Sequence, residues 1–306
     1  MSTSTPIETL VHDLMQGRAA RFQELVRLAK AQEGRRKKAA DSQEKRQIEF
    51  ARTIGIKQAL IEQRLKDDAA QLKARLVDFR PALVTRPGWS AQDAGQLAQV
   101  AAALPLSTRL LPPFGVFFYP PGTTEVQPQS PGQIKMKDVA SGSGLGWPWA
   151  TAGAVVPPAD IVFYFVPASS GTYSLTVAIA FHGFFVAQAD DGTWTSKEAS
   201  VKMDVSMDTY SHVDRGTKSF TRPIDVDSQN IDEFQNFDKV LTFSDTQSLR
   251  AGDPTVVTCS ISIAASARGG GSYAEINFSD GDANYIQPQY LIATDLSGGS
   301  QTQAAQ

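Results

Sequence analysis

The stretch TYSLTVAIAF, residues 172–181, decides the fold. Tyr173, Leu175, Val177, Ile179 and Phe181 fall on odd positions, and Thr172, Ser174, Thr176, Ala178 and Ala180 on even ones. Successive side chains of a strand point to opposite faces of its sheet, so this segment has one apolar face and one small or polar face. A helix would scatter the same residues around its circumference. The period recurs downstream. Val201, Met203, Val205 and Met207 alternate with Lys202, Asp204, Ser206 and Asp208. Val257, Cys259, Ile261 and Ile263 alternate with Thr258, Ser260, Ser262 and Ala264.

Shorter runs of strand formers lie at Val116–Tyr119, Ile161–Val166, Val240–Phe243 and Tyr273–Phe278. Tyr285–Ile292 is a last strand, and Pro288 inside it predicts an edge position. Asp190-Asp191-Gly192 reads as a hairpin turn. Roughly seven to ten strands without intervening helices predict an antiparallel β-sandwich over 110–296, jelly-roll-like or immunoglobulin-like. Residues 120–158 are rich in Pro and Gly and show little alternation, so they read as one long loop, either ordered and functional or mobile. The small, polar residues 297–306 read as a disordered tail.

Residues 1–80 have the opposite chemistry. They hold one of the 17 prolines and three of the 23 glycines, with no Trp or Tyr. The fold class expected is therefore α+β in two parts, a helical arm followed by the sandwich. Thr5, Pro6 and Glu8 form a helix start, with Thr5 as cap and Glu8 closing a capping box. Ile7, Leu10, Val11, Leu14, Phe22, Leu25, Val26 and Ala29 then make an apolar stripe with Arg18 in its middle, predicting a helix over 6–32. Gly34 and the charged run around it predict a turn. A second helix over 42–79 carries Phe50, Ile54, Ile61, Leu65, Leu72, Leu76 and Phe79 close to heptad spacing. At ~1.5 Å per residue it would extend ~55–60 Å, too long for a small sandwich to cover. The arm is thus expected to fold as a helical hairpin or coiled coil and to oligomerise or dock through those seven residues. Residues 81–109 form a connector with a short helix started by Ser90 and Asp93 and closed by Pro105.

The chain's net charge of −3 conceals an asymmetry: residues 1–80 carry 17 basic and 11 acidic side chains, the remainder 12 and 21. Arm and body therefore attract over about a Debye length, ~8–10 Å. The run Arg35-Arg36-Lys37-Lys38 lacks interleaved aromatics for base stacking, and acidic residues flank it, so it reads as a solvated turn rather than a sequence-specific nucleic-acid patch. Cys259 is the only cysteine, which excludes an intrachain disulfide, and its strand context makes it a small buried apolar residue. The N-terminus has neither the basic nor the apolar region of a secretory signal, so synthesis in the cytosol is expected, a reading compatible with non-classical export, which leaves no trace in the sequence.

Nothing in the sequence forms a catalytic constellation. His12, His182 and His212 make no HExxH or HxH spacing, Ser143 lacks the Gly-x-Ser-x-Gly elbow, and Gly142, Gly144 and Gly146 do not make a dinucleotide fingerprint. No cofactor is expected. Asp280, Asp282 and Asn284 place oxygens at alternating positions, a calcium-loop spacing, although Tyr285 and Leu291 stand where a helix-loop-helix calcium site needs Gly and Glu. Trp147, Trp149 and Trp194 are the candidate ligand-stacking residues. The leading functional expectation is a non-catalytic assembly or adaptor protein, a homo-oligomer or one that docks a protein partner. The alternatives are a lectin-like carbohydrate-binding module using the three tryptophans, and a pore-forming toxin component. In the toxin reading, Thr255–Ala265 and Tyr273–Phe278 would make a membrane-entering amphipathic hairpin.

Overall fold

The computed structural model describes residues 6–64, 66–67, 70–71, 73–74, 108–118, 127–129, 132–142, 151–152, 156–189, 197–211 and 219–297. A helix, α1 (Pro6–Thr53), precedes the strands β1 (Thr108–Leu111), β2 (Gly115–Phe118), β3 (Gln127–Gln129), β4 (Met136–Ser141), β5 (Thr151–Ala152), β6 (Ala159–Phe165), β7 (Gly171–Ala189), β8 (Glu198–Tyr210), β9 (Ser219–Ser228), β10 (Ile231–Leu249), β11 (Thr255–Arg268), β12 (Tyr273–Phe278) and β13 (Tyr285–Asp295). They form two antiparallel sheets. The first has the order β1-β13-β7-β12-β4, with β10 along the other side of β7; the second has the order β3-β2-β6-β11-β8-β9, with β5 beside β11. The sheets face each other as a sandwich.

The core is built by the alternation read in the sequence. Tyr173, Leu175, Val177, Ile179 and Phe181 of β7 are buried against Val201, Met203, Val205 and Met207 of β8 and Val257, Cys259, Ile261 and Ile263 of β11. Phe181, Phe237 and Phe278 meet edge to face, with ring centroids 5.9 to 6.3 Å apart. Each large apolar side chain so buried contributes about 1.5–3 kcal/mol. Burial also pushes the Cys259 thiol far above its ordinary titration range, so it is an inert core residue.

β13 and β12 lie end to end along one side of β7, pairing with Tyr173–His182 and Phe184–Gln188 respectively. Gly183 sits at that junction, where a Cβ would overlap the Phe278 ring and the Asn277 carbonyl. Pro288 does not mark an edge. β13 is flanked by β7 and β1, and the proline's missing N–H is absorbed at a register shift between Pro288 and Tyr290. The 120–158 region is not a single loop, because β3, β4 and β5 all lie within it. Residues 190–196 fall outside the described residues, but β7 and β8 belong to different sheets, so they do not bound a hairpin.

Helix α1 differs most from expectation. It does not stop at residue 32 but continues through Gly34 to Thr53, and the predicted second helix is broken at its twelfth residue. The break is a Schellman motif. The Ile56 amide donates to the Ala51 carbonyl at 2.9 Å and the Gly55 amide to the Arg52 carbonyl at 3.0 Å, with Gly55 at φ 86°. Gly34 has only charged neighbours and nothing apolar to seal such a cap, whereas Gly55 is followed by Ile56. One interior glycine costs a helix about 1 kcal/mol, which a 48-residue helix tolerates. Helical backbone resumes at Gln58, and residues 75–107, including the predicted connector helix, lie outside the described residues, as does the tail from 298.

Candidate assembly arm and its anchor

The first half of α1 lies on the outer face of the second sheet. Val11, Met15, Ala19, Phe22 and Val26, at helical steps of three and four, pack with Leu14 against Phe117, Val162, Val256, Tyr164 and Tyr210. β6 and β11 are therefore covered on both faces, which is why Ile161–Val166 reads as a continuous apolar run instead of an alternation. The stripe is rotated from the one expected. Met15 and Ala19 are buried, while Leu25 is 63% exposed.

Arg18 occupies the middle of that buried stripe and is its polar anchor. Its Nε lies 2.6 Å from Asp160 Oδ2, and its Nη1 3.1 Å from Asp208 Oδ2. Nη1 also donates to the Tyr210 hydroxyl at 3.0 Å and to Thr258 Oγ1 at 3.2 Å, while Nη2 donates to Asp160 Oδ1 and to the Ser260 hydroxyl. Ser260 donates in turn to Asp160. Asp160 is 1% exposed. A buried charge is tolerable only when its lone pairs are met by donors of opposite charge, and the planar guanidinium supplies several in fixed geometry. Burial is the main cause that raises the Tyr210 phenol above its ordinary range, with Arg18 pulling the other way.

The second half of α1 has no such partner among the described residues. Leu28 is 46% exposed, Phe50 65%, Ile54 51% and, past the break, Leu60 65%. Ile61 is half-buried, and Leu65, Leu72, Leu76 and Phe79 lie outside what can be described of side chains. Arg35 and Lys38 are exposed. At ~1.5 Å per residue α1 is ~72 Å long, of which the buried stripe uses less than half.

The outer face of the first sheet carries a second polar group. The Tyr273 hydroxyl donates to Glu275 Oε2 at 2.5 Å and Asn277 Nδ2 to Glu275 Oε1 at 2.7 Å. Lys137 Nζ is 2.7 Å from Asp280 Oδ2 and 3.4 Å from Glu275 Oε1. His182 lies in the middle of β7. It is buried, its Nδ1 is 3.1 Å from Asp238 Oδ1, and it lies against the Tyr285 ring at 4.8 Å. Tyr273, Asn277 and Lys137 thus supply donors to the Glu275 and Asp280 carboxylates.

Of the candidate calcium ligands, Asp280 is engaged by Lys137 and Asn277. Lys135 Nζ takes the carbonyls of Gly281 at 3.0 Å and Asn284 at 2.6 Å, so an ammonium holds the oxygens of this loop. Asp282 is exposed. No cluster of three or more His, Cys, Asp or Glu suited to a metal occurs among the described residues. Trp147, Trp149, Trp194 and His212 lie outside the described residues, and His12 is exposed on α1. Thr255–Ala265 and Tyr273–Phe278 do not pair as a hairpin: β11 is in the second sheet and β12 in the first. Among the described residues, no helix is long and apolar enough to cross a membrane.

No protein family matches the chain. No curated protein matches it in sequence. Among solved structures, it is similar to an isomalto-dextranase of Arthrobacter globiformis T6 complexed with panose, at 12% identity over 61% of this chain and 32% of that one, with a TM-score of 0.17. It thus spans about a third of that chain's length. A second similar structure is that of infectious bursal disease virus, Gx strain, at 8% identity over 61% of this chain and 73% of that one, with a TM-score of 0.13. Superpositions that poor support neither a common fold nor a common function.

Proposed function

We propose that the chain is a non-catalytic assembly protein whose α1 arm is anchored to its own sandwich at one end and joins arms of other copies at the other, as a helical hairpin or coiled coil. The observation that carries this reading is the exposure of Phe50, Ile54 and Leu60, at 65%, 51% and 65%, beyond the anchored segment. Phe50 and Ile54 lie one helical turn apart, Leu60 follows past the break at Gly55, and exposed apolar side chains gain about 1.5–3 kcal/mol each when a partner covers them. The anchor fixes the direction in which the arm leaves the body, so copies joined through their arms would present their sandwiches in a defined arrangement.

The test is the mass of the intact protein against a Phe50→Ser/Ile54→Ser/Leu60→Ser variant. The expected result is a multiple of 33.0 kDa for the parent and 33.0 kDa for the variant, with the same melting temperature for the variant's sandwich. A parent that stays at the single-chain mass at tens of micromolar ends the proposal. Removing the whole arm would be a poorer test, because it uncovers Phe117, Val162 and Val256 and leaves Asp160 without Arg18.

A further inference from the structure

The polar group on the outer face of the first sheet is buried: Glu275 is 1% exposed and Asn277 0%. Asn277 of β12 stands directly opposite Lys137 of β4. Opposed residues of an antiparallel pair have Cβ atoms about 4.5–5.5 Å apart, which puts a lysine amine within reach of a facing carboxamide. The Lys137 ammonium and the Asn277 amide nitrogen share two carboxylates. Glu275 Oε1 lies 3.4 Å from Lys137 Nζ and 2.7 Å from Asn277 Nδ2, and Asp280 Oδ2 lies 2.7 Å and 2.9 Å from the same two atoms. The oxygen of the amide is held as firmly, since Asn277 Oδ1 accepts the Ser279 and Asp280 backbone amides, each at 2.9 Å. An amine beside a carboxamide, a buried carboxylate in reach of both nitrogens, and two backbone N–H groups on the carbonyl oxygen are the parts of an acyl-transfer site.

We propose that Lys137 and Asn277 join in an intramolecular amide bond, formed by the folded chain without any added reagent. Glu275 takes a proton from the Lys137 ammonium. The freed amine lone pair forms the Nζ–Cγ bond, and the carbonyl electron pair moves onto Oδ1, where the Ser279 and Asp280 N–H groups hold the charge. That pair returns as the Cγ–Nδ2 bond breaks. Glu275 passes two of the lysine's protons to Nδ2, the nitrogen leaves as ammonium, and Glu275 is ionised again. The fixed juxtaposition of amine and carboxamide stands in for the high concentration that two free molecules would need. The product ties β4 covalently to β12, its neighbour at the end of the first sheet. The site is independent of the arm, which packs on the second sheet.

The test is the intact mass and the tryptic map of the full-length protein. The parent is expected about 17 Da below the 33.0 kDa of its sequence, one ammonia lost, with trypsin no longer cutting after Lys137 and the peptides of the two strands travelling as one. Lys137→Arg keeps the charge at its position and Glu275→Gln the shape, and both are expected to retain their full sequence mass. A parent whose Lys137 and Asn277 peptides run separately and unmodified overturns the proposal, whether or not the variants fold. A loss of about 18 Da, which puts the bond on Asp280, or a gain of about 1 Da, which is hydrolysis of the Asn277 amide, would overturn it as well. So would an undiminished cross-link in folded Glu275→Gln protein.

Discussion

The two halves of α1 are one continuous helix with opposite fates. Residues 11–26 bury an apolar stripe on a sheet and insert an arginine into a carboxylate-and-hydroxyl socket. Residues beyond 26 carry the same kinds of side chain into solvent. Helix propensity does not separate them. What does is the length of the sheet beneath and the presence of Asp160 and Asp208 on β6 and β8. Tertiary packing, rather than the helix itself, buries a face of one half and leaves apolar side chains of the other exposed among the described residues.

Substitutions should divide along the same line. The largest effect is expected from Arg18→Ala, which leaves Asp160 buried and uncompensated and should cost about 3–5 kcal/mol in a denaturant titration. A loss under about 1 kcal/mol would mean that the anchor is not needed. Phe22→Ala should cost about 3 kcal/mol by deleting a buried ring, and Arg18→Met in an Asp160→Leu background should recover much of the Arg18→Ala loss.

The anchor should also respond to pH. The folded Tyr210 phenol holds its proton more tightly than the unfolded one, so its contribution is complete below the ordinary tyrosine value of about 10 and is lost as the pH rises through the shifted one. Tyr210→Phe should flatten stability over that alkaline window while losing about 1 kcal/mol at neutral pH with the Arg18 hydrogen bond.

In the outer half, effects on stability should be small. Gly55→Ala strains a residue at positive φ by about 1–2 kcal/mol, felt as faster amide exchange at Gly55 and Ile56 rather than as a lower melting temperature. Phe50→Ser should change monomer stability by under about 0.5 kcal/mol, and a larger loss would show that this residue packs within its own chain.

Strands with one apolar face and one small or polar face were legible in the sequence, β7 and β8 above all. Others were hidden for stated reasons. β4 inverts the usual pattern, with Asp138 inward and Val139 outward, so no alternation of apolar residues marks it. β6 is covered on both faces, and β10 mixes Phe237, Phe243 and Leu249 with inward polar residues such as Gln247. The helix boundary was misplaced because every glycine was weighed alone. The apolar residue after Gly55, and its absence after Gly34, is the signal that separates a cap from a tolerated interior glycine. The anchor left a trace as well, since a lone arginine inside an apolar stripe calls for a carboxylate on the opposing surface. The sequence held Asp160 amid a strand's apolar run, but only the fold shows the two meeting.

That inverted aspartate ties the layers together. β5 ends opposite Ser266 of β11 and β6 begins opposite Ile261, leaving a stretch between them that has no ladder partner on that side among the described residues. The Asp138 carboxylate, belonging to the other sheet, accepts the Ala265 amide there at 2.7 Å and the Val139 amide at 2.9 Å. A bond running across the layers resists shear, the one motion that greasy contacts alone permit at little cost. The Ala265 amide therefore becomes a natural gauge, expected to exchange its hydrogen only when the two layers part.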